Sequence, residues 1–387
     1  MESTVVAEGQ SSLFEQGDVL FGKLRPYLAK VHQATGPGRC TSELLVLRSR
    51  RLLPGFLKYL LLSKPLVKLV DSSTFGAKMP RADWDFIGQI MVPCPNIQEQ
   101  RAIADFLDRQ TAAIDALIDK RRAQLSLLDE KRLTLTTAVI ISGLNPSART
   151  KNSGLPWLAE YIPAHWAVRR LKFISPRQCV GVVVNPSHYF ADEGVPFLFG
   201  NNVREGEFGL EGVRRISEES NGTLAKSMLR TGDLVVVRVG APGVTAVIPE
   251  ALDRCNCASI MIVRQAASFE SQWLCYAMNS RIGRCQVEAV RYGAAQEQFN
   301  ISDAVNFTFP VPPLEEQRAI VANLDAEVAV IARTCASIEA EMKLLAEYRQ
   351  ALISAAVTGQ ALRRIPAGRL RPPCPMPFSP PSFAPGK

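Results

Sequence analysis

No stretch of this 387-residue sequence approaches the roughly 20 consecutive apolar residues of a membrane span. The opening Met1-Glu2-Ser3-Thr4 lacks the basic and apolar runs of a secretory signal, which predicts a cytoplasmic protein. Histidine is scarce, with three scattered residues, and the nine cysteines are an odd number in a chain too long for a disulfide scaffold. Cys255 and Cys257 form a C-x-C without a second pair at zinc-ligand spacing, so buried free thiols are expected instead. There is no His-Glu-x-x-His, and no Gly-x-Ser-x-Gly with a plausible histidine partner. Gly240-Ala241-Pro242-Gly243 is not followed by the Gly-Lys-Ser/Thr of a phosphate loop. Asn185-Pro186-Ser187-His188-Tyr189 lacks the second proline and in-register aromatic of an amino-methyltransferase motif. These absences predict a non-catalytic chain that holds no metal and no cofactor of its own.

What is present is a duplication. Glu99-Gln100-Arg101-Ala102-Ile103 returns intact as Glu316-Gln317-Arg318-Ala319-Ile320, 217 positions later. Pro93 and Pro95 return as Pro310 and Pro312, and Gly76-Ala77 as Gly293-Ala294. Gly17-Asp18 returns as Gly232-Asp233 and Arg39-Cys40 as Arg254-Cys255, now 215 apart. Two similar modules presenting two similar surfaces suit a two-part target. Apolar content of 47% supports real cores, and a net charge of +8 with pI near 9.1 favours a polyanionic partner.

Each unit reads as a β-leaning region followed by one long helix. Val19-Leu20-Phe21, Leu44–Leu47, Leu234–Val237 and Ile260–Val263 are short apolar runs bounded by turn formers, as buried strands are. Gly55–Leu69 and Trp273–Val290 are shorter helical candidates. Asn96 with Glu99 forms a capping-box start, Pro312-Pro313 with two acids forms the other, and Gly143 and Gly359 stand at the ends. One heptad register crosses both helices, placing Leu107, Ile114, Ile118, Leu125, Leu128 and Leu135 opposite a second seam of Leu324, Ile331, Ile338, Met342, Leu345 and Leu352. Helices of about 40 residues would be roughly 60 Å long. The Asn145–Gly154 connection reaches at most about 35 Å, which favours an antiparallel pair. The expected organisation is α+β: a first module over 1–95, helix one over 96–143, a linker over 144–154, a second module over 155–312 and helix two over 313–359. A proline-rich tail over 360–387 is expected to be disordered.

The strings Gly17-Asp18-Val19-Leu20-Phe21-Gly22-Lys23-Leu24-Arg25-Pro26-Tyr27 and Gly232–Gly240, with the Pro-x-Pro-x-x-x-Glu-Gln helix entries, resemble the specificity subunit of type I restriction–modification systems. Ala356-Val357-Thr358-Gly359 and the segment Pro156-Trp157-Leu158, Ile162-Pro163, His165-Trp166 and Arg170-Leu171 strengthen the likeness, which runs from residue 17 to about 364. The resemblance implies two target-recognition domains, each reading half of a split DNA sequence, with paired helices fixing the spacer and docking methylase subunits. It also implies a motor-nuclease restriction subunit as a further partner. S-adenosylmethionine, ATP and Mg are then expected on partner subunits alone. Leu155–Thr231 precede the second Gly-Asp pair but only 16 residues precede the first, so roughly 60 residues of the first domain are expected to be missing.

Bidentate arginine on guanine and Asn or Gln on adenine are the favoured base readers, with Lys and Arg on phosphates. Candidate DNA contacts are Lys23, Arg25, Tyr27, Lys30, Lys78 and Arg81 in the first unit. In the second they are Asn201, Asn202, Arg204, Arg238, Arg291 and Gln296. The bland alternative for each is a solvated surface group. Two alternatives stand for the whole chain. One is a truncated remnant that binds methylase subunits without full bipartite specificity. The other is a coiled-coil adaptor with no DNA role, which leaves the repeated modules and positive charge unexplained.

Overall fold

In the computed structural model the described residues are 11–74, 79–155, 159–293 and 297–360. The chain divides into two compact units, Met1–Ala123 with Ile338–Lys387, and Gln124–Ser337. Unit 1 begins with β1 (Ser11–Phe14), β2 (Val19–Gly22), β3 (Val31–Gln33), β4 (Gly38–Thr41) and β5 (Leu44–Leu47). β2 is the centre of an antiparallel sheet β3-β2-β5, and β1 pairs with β4. Then come α1 (Pro54–Leu62), α2 (Lys64–Ser72), the single turn α3 (Trp84–Ile87) and the first part of α4 (Ile97–Ser142).

The sequence reads one helix across Gly55–Leu69, but the chain breaks at Ser63. That residue is extended (φ −69°, ψ 136°), and its hydroxyl donates to the Leu60 carbonyl at 2.6 Å. Pro65 suits the first turn of a new helix and not the interior of an old one. Phe56, Tyr59 and Leu60 of α1 pack on Ile103 and Leu107 of α4 and on Ile353, Ala356 and Val357.

Unit 2 takes the second part of α4 and continues through β6 (Thr150–Asn152), β7 (Tyr161–Pro163), β8 (Ala167–Arg170), α5 (Leu171–Ile174) and β9 (Gln178–Val180). β10 (Phe190–Ala191), β11 (Val195–Leu198), β12 (Val203–Arg204), β13 (Glu207–Phe208), β14 (Arg214–Ile216) and α6 (Glu218–Thr223) follow. β15 (Leu234–Val237), β16 (Thr245–Val247), β17 (Asn256–Cys257) and β18 (Ile260–Val263) lead to α7 (Ser271–Asn279), α8 (Arg281–Val290), α9 (Ile301–Ala304), β19 (Thr308–Val311) and α10 (Leu314–Val357). α7, α8, α9 and α10 each begin 217 residues after α1, α2, α3 and α4. Ser280 repeats the Ser63 break, again with its hydroxyl on a carbonyl three residues back.

The sheet β16-β15-β18-β9 is covered on both faces. Val235, Val237, Ile260 and Ile262 meet Phe197, Leu198 and Ile216 of the sheet β10-β14-β11-β17. Their alternating neighbours Leu234, Val236, Met261 and Val263 meet Leu171, Ile174, Trp273 and the long helices through Ile140, Ile320 and Leu324. Cys255, Cys257 and Cys275 are buried free thiols, and burial pushes the Cys255 and Cys275 thiols up to about 12.

α4 has 46 residues and α10 has 44, roughly 65–70 Å of helix each. The capping box forms: the Glu99 amide donates to Asn96 Oδ1 at 2.9 Å, and the Asn96 amide to Glu99 Oε2 at 3.3 Å. Gly143 and Gly359 take left-handed conformations at φ +69° and +75° past the helix ends. The helices run antiparallel in each unit. In unit 1 Arg121 pairs with Glu341 at 3.0 Å and Asp115 with Arg349 at 2.9 Å, while in unit 2 Val139 and Ile140 share a core with Leu324 and Ile320. Leu107, Ile114, Ile118, Leu324, Ile331 and Ile338 are buried, and Leu125, Leu128, Leu135, Met342, Leu345 and Leu352 are half-buried. Among the described residues no helix is long and apolar enough to cross a membrane, and no group of acids, histidines and cysteines could hold a metal ion.

Candidate nucleic-acid interface

The repeated Gly-Asp pair builds the base of each candidate site. Gly17 (φ +90°) and Gly232 (φ +86°) hold left-handed turns that a side chain would strain. Each following aspartate is buried. Asp18 accepts from the Glu15 amide at 2.7 Å and from Arg48 at 2.7 and 2.8 Å. Asp233 accepts from the Arg230 amide at 2.9 Å and from Arg264 at 2.6 Å. The Arg48 guanidinium holds the Asp18 carboxyl down to about 2. This pinned carboxylate orients the strand that follows.

That strand leads into the same loop pair in both units. Leu24 bridges Arg81, and Val239 bridges Gln298. The Arg25 amide donates to the Pro80 carbonyl at 2.8 Å, and the Gly240 amide to the Glu297 carbonyl at 3.1 Å. The Ala82 amide donates to the Lys23 carbonyl at 3.0 Å, and the Phe299 amide to the Arg238 carbonyl at 3.3 Å. Matching backbone bonds thus frame the loops in both units, while the side chains they carry differ. Arg25 is left-handed (φ 50°, ψ 63°) where its counterpart is Gly240 at φ +88°. An L-residue pays about 1–2 kcal/mol for that conformation.

In unit 1 the fold therefore gathers Lys23, Arg25, Tyr27, Lys30 and Arg81 at one edge. Arg25, Tyr27 and Lys30 are exposed, and no ion pair among the described residues engages Lys23, Arg25 or Lys30. Arg81 is exposed but paired with Glu43 at 2.7 Å. Lys78 lies outside the described residues, as do Gly76 and Ala77.

In unit 2 the 200–209 turn lies beside the end of β15, where a side chain at Gly200 would meet Val237. Asn201 is exposed there, and Arg204 is exposed on β12 at 3.9 Å from Glu207. Asn202 differs. It is buried, its Oδ1 accepts from the Phe199 amide at 3.0 Å, and its amide donates to the Gly209 carbonyl at 3.0 Å. Both polar ends hold its own turn. Arg238 is half-buried, with Nε donating to the Phe299 carbonyl at 3.2 Å, and Arg291 pairs with Glu297 at 2.9 Å. Gln296 lies outside the described residues, with Ala294 and Ala295. Tyr292, which lies between the candidates Arg291 and Gln296 in the sequence, is 45% exposed and donates to Asn300 at 3.0 Å.

The other repeated strings couple modules to helices. Gln100 and Gln317 are fully buried. Gln100 donates to the Pro95 carbonyl at 2.8 Å and accepts from the Leu53 amide at 2.7 Å. Gln317 donates to the Pro312 carbonyl at 2.9 Å and accepts from the Glu270 amide at 2.8 Å. Tyr59 donates to Asp108 at 2.6 Å as Tyr276 does to Asp325, and burial pushes the Tyr59 phenol up to about 12. His165 Nε2 lies 2.7 Å from Glu316 Oε2, to which Trp166 Nε1 donates at 2.9 Å. Pro156, Trp157 and Leu158 lie outside the described residues.

No family model matches the chain. Its sequence is 23% identical over 286 residues to the type I restriction enzyme EcoBI specificity subunit of Escherichia coli, covering 70% of this chain and 56% of that protein. It is 23% identical over 318 residues to the MjaVIII specificity subunit of Methanocaldococcus jannaschii, covering 80% of this chain and 68% of that one. The chain thus spans a little over half the length of the first relative. A solved chain of the type I R-M system, described for its complex assembly and conformational transition, superposes with a TM-score of 0.70 at 22% identity. That match covers 92% of this chain and 85% of the other, and at such identity it is a likeness of fold.

Proposed function

We propose that this chain, a distant relative of the type I restriction specificity subunits in sequence and fold, is the DNA-reading subunit of such a complex. That family is non-catalytic. In this reading each module meets one half of a bipartite target and the helices set the spacer. Methylase subunits dock on the helices, a motor-nuclease subunit joins them, and S-adenosylmethionine, ATP and Mg belong to those partners. The complex works in the cytoplasm.

The observation that carries the proposal is the loop pair framed by matching backbone bonds in both units, yet bearing different polar side chains. A fixed frame with variable readers is what two unlike half-sites require. Lys23, Arg25, Tyr27, Lys30 and Arg81 would serve one half-site. Asn201, Arg204, Arg238 and Arg291 would serve the other; Lys78 for the first half-site and Gln296 for the second are proposed from their sequence positions alone. Asn202 would shape its turn without touching a base.

Arg238→Ala and Arg291→Ala test this in the assembled complex. Each should relax or weaken recognition of one half-site by about 1–3 kcal/mol per lost base contact, leaving the other half-site intact. Methylation mapping reads the outcome. Equal loss at both halves would indicate loss of general charge and sink the assignment.

A further inference from the structure

Two of the arginines assigned above to base reading are each held by a glutamate. Arg81 Nε and Nη2 donate to the two carboxylate oxygens of Glu43 at 3.2 and 2.7 Å, and Arg291 Nη1 donates to Glu297 Oε2 at 2.9 Å. The pairs do not correspond under the repeat. Arg81 falls on Gln298, Arg291 on Thr74 and Glu297 on Pro80, while residues 258–260, opposite Glu43, read Ala-Ser-Ile. The same pairing thus occurs twice, at positions the duplication does not relate. Each acid is nevertheless carried on the same part of the frame. The Glu43 carbonyl accepts from the Lys23 amide at 2.9 Å and the Glu297 carbonyl from the Gly240 amide at 3.1 Å, both shortly past the strand that follows the Gly-Asp pair.

All four side chains are about half exposed, so neither pair contributes much to stability. Near DNA an acid is a cost, because it repels the phosphates on which general affinity depends. What an acid can give is direction. A guanidinium carries five N–H groups, and a guanine edge takes two adjacent ones. Glu43 engages two on Arg81 and Glu297 one on Arg291, so each arginine keeps an adjacent pair with no partner among the described residues. A side chain already held in place also loses less freedom when DNA binds. We infer that Glu43 and Glu297 are specificity-determining positioning residues, each fixing the direction in which one arginine presents its remaining N–H pair to a base edge. The inference rests on the DNA-reading role proposed above and deepens it: each acid gives up general affinity for discrimination at one base pair.

The test uses the assembled complex and reads two quantities: methylation rates on duplexes in which each target base pair is changed in turn, and binding to non-target DNA. Arg291→Ala first marks the base pair that Arg291 reads. Glu297→Ala should lower discrimination at that same base pair about tenfold, leave the other half-site unchanged and raise affinity for non-target DNA. Glu297→Gln, which keeps an acceptor, should restore most of the discrimination while raising non-target affinity as Ala does. The double variant should discriminate no worse than Arg291→Ala alone, because the acid acts through the arginine. Glu43→Ala should repeat this pattern at the other half-site, through Arg81. Glu297→Lys, which keeps the reach of the side chain, carries the same expectation should the alanine variant not assemble. Tighter binding to all DNA with discrimination unchanged would mean plain repulsion and overturn the inference. An additive loss in the double variant would overturn it too, since the acid would then read a base itself. If Arg291→Ala spares every base pair, the DNA-reading assignment itself falls and takes the inference with it, which tells the two failures apart.

Discussion

At the scale of residues, the strings that mark this chain divide into those that build and those that face outward. Asp18 builds. Its carboxyl is buried and held down to about 2 from an ordinary value of 3.8 by Arg48, so the folded state favours the charged form. The stability this contributes is fully present above about pH 4 and is lost as pH falls through about 2. Urea titrations between pH 5 and pH 2 should therefore find Asp18→Asn less stable than the native chain at pH 5, with the gap closing toward pH 2. A gap independent of pH would refute the linkage. Arg25 faces outward, on a strained left-handed backbone where the other unit has Gly240.

At the scale of elements, the long helices were plain in the sequence because their signals are local. A capping box, a heptad stripe and a glycine past the end each act within a few residues. Ser63 and Ser280 were not legible as breaks, since periodicity runs across them and only the packing of two short helices decides. The sheets were legible as strands but not as pairings, because β9 reaches β18 across 80 residues and the register is set by burial on both faces. The candidate contacts were legible as polar types in loops, but Asn202 shows the limit. Nothing local distinguishes an amide that holds its own turn from one aimed at solvent. Gln100 and Gln317 were visible as repeats, while their work as buried bridges was not. Gln317→Ala would strand the Glu270 amide and the Pro312 carbonyl, and should cost about 2–4 kcal/mol in denaturant unfolding. A cost below about 0.5 kcal/mol would show that the bridge carries no weight.

At the scale of the whole molecule, the proposed spacer role makes helix length the quantity that matters. Removing one heptad from each helix at facing positions shortens the pair by about 10 Å. At 3.4 Å per base pair this should shorten the preferred gap between half-sites by about three base pairs, read by methylation mapping of the assembled complex. An unchanged gap would end the spacer role. The joints between modules and helices bear on a different matter. Tyr59 reaches Asp108 on one helix while the Lys64 amide reaches the Ser354 hydroxyl on the other; Tyr276 reaches Asp325 while the Arg281 amide reaches the Thr137 hydroxyl. Plug and socket are chemically the same at both positions, a carboxylate for the phenol and a small hydroxyl for the amide. A gene segment encoding either module could thus be shuffled into the other's place by recombination and still find a fitting seat, giving the lineage new combinations without redesigning the mount.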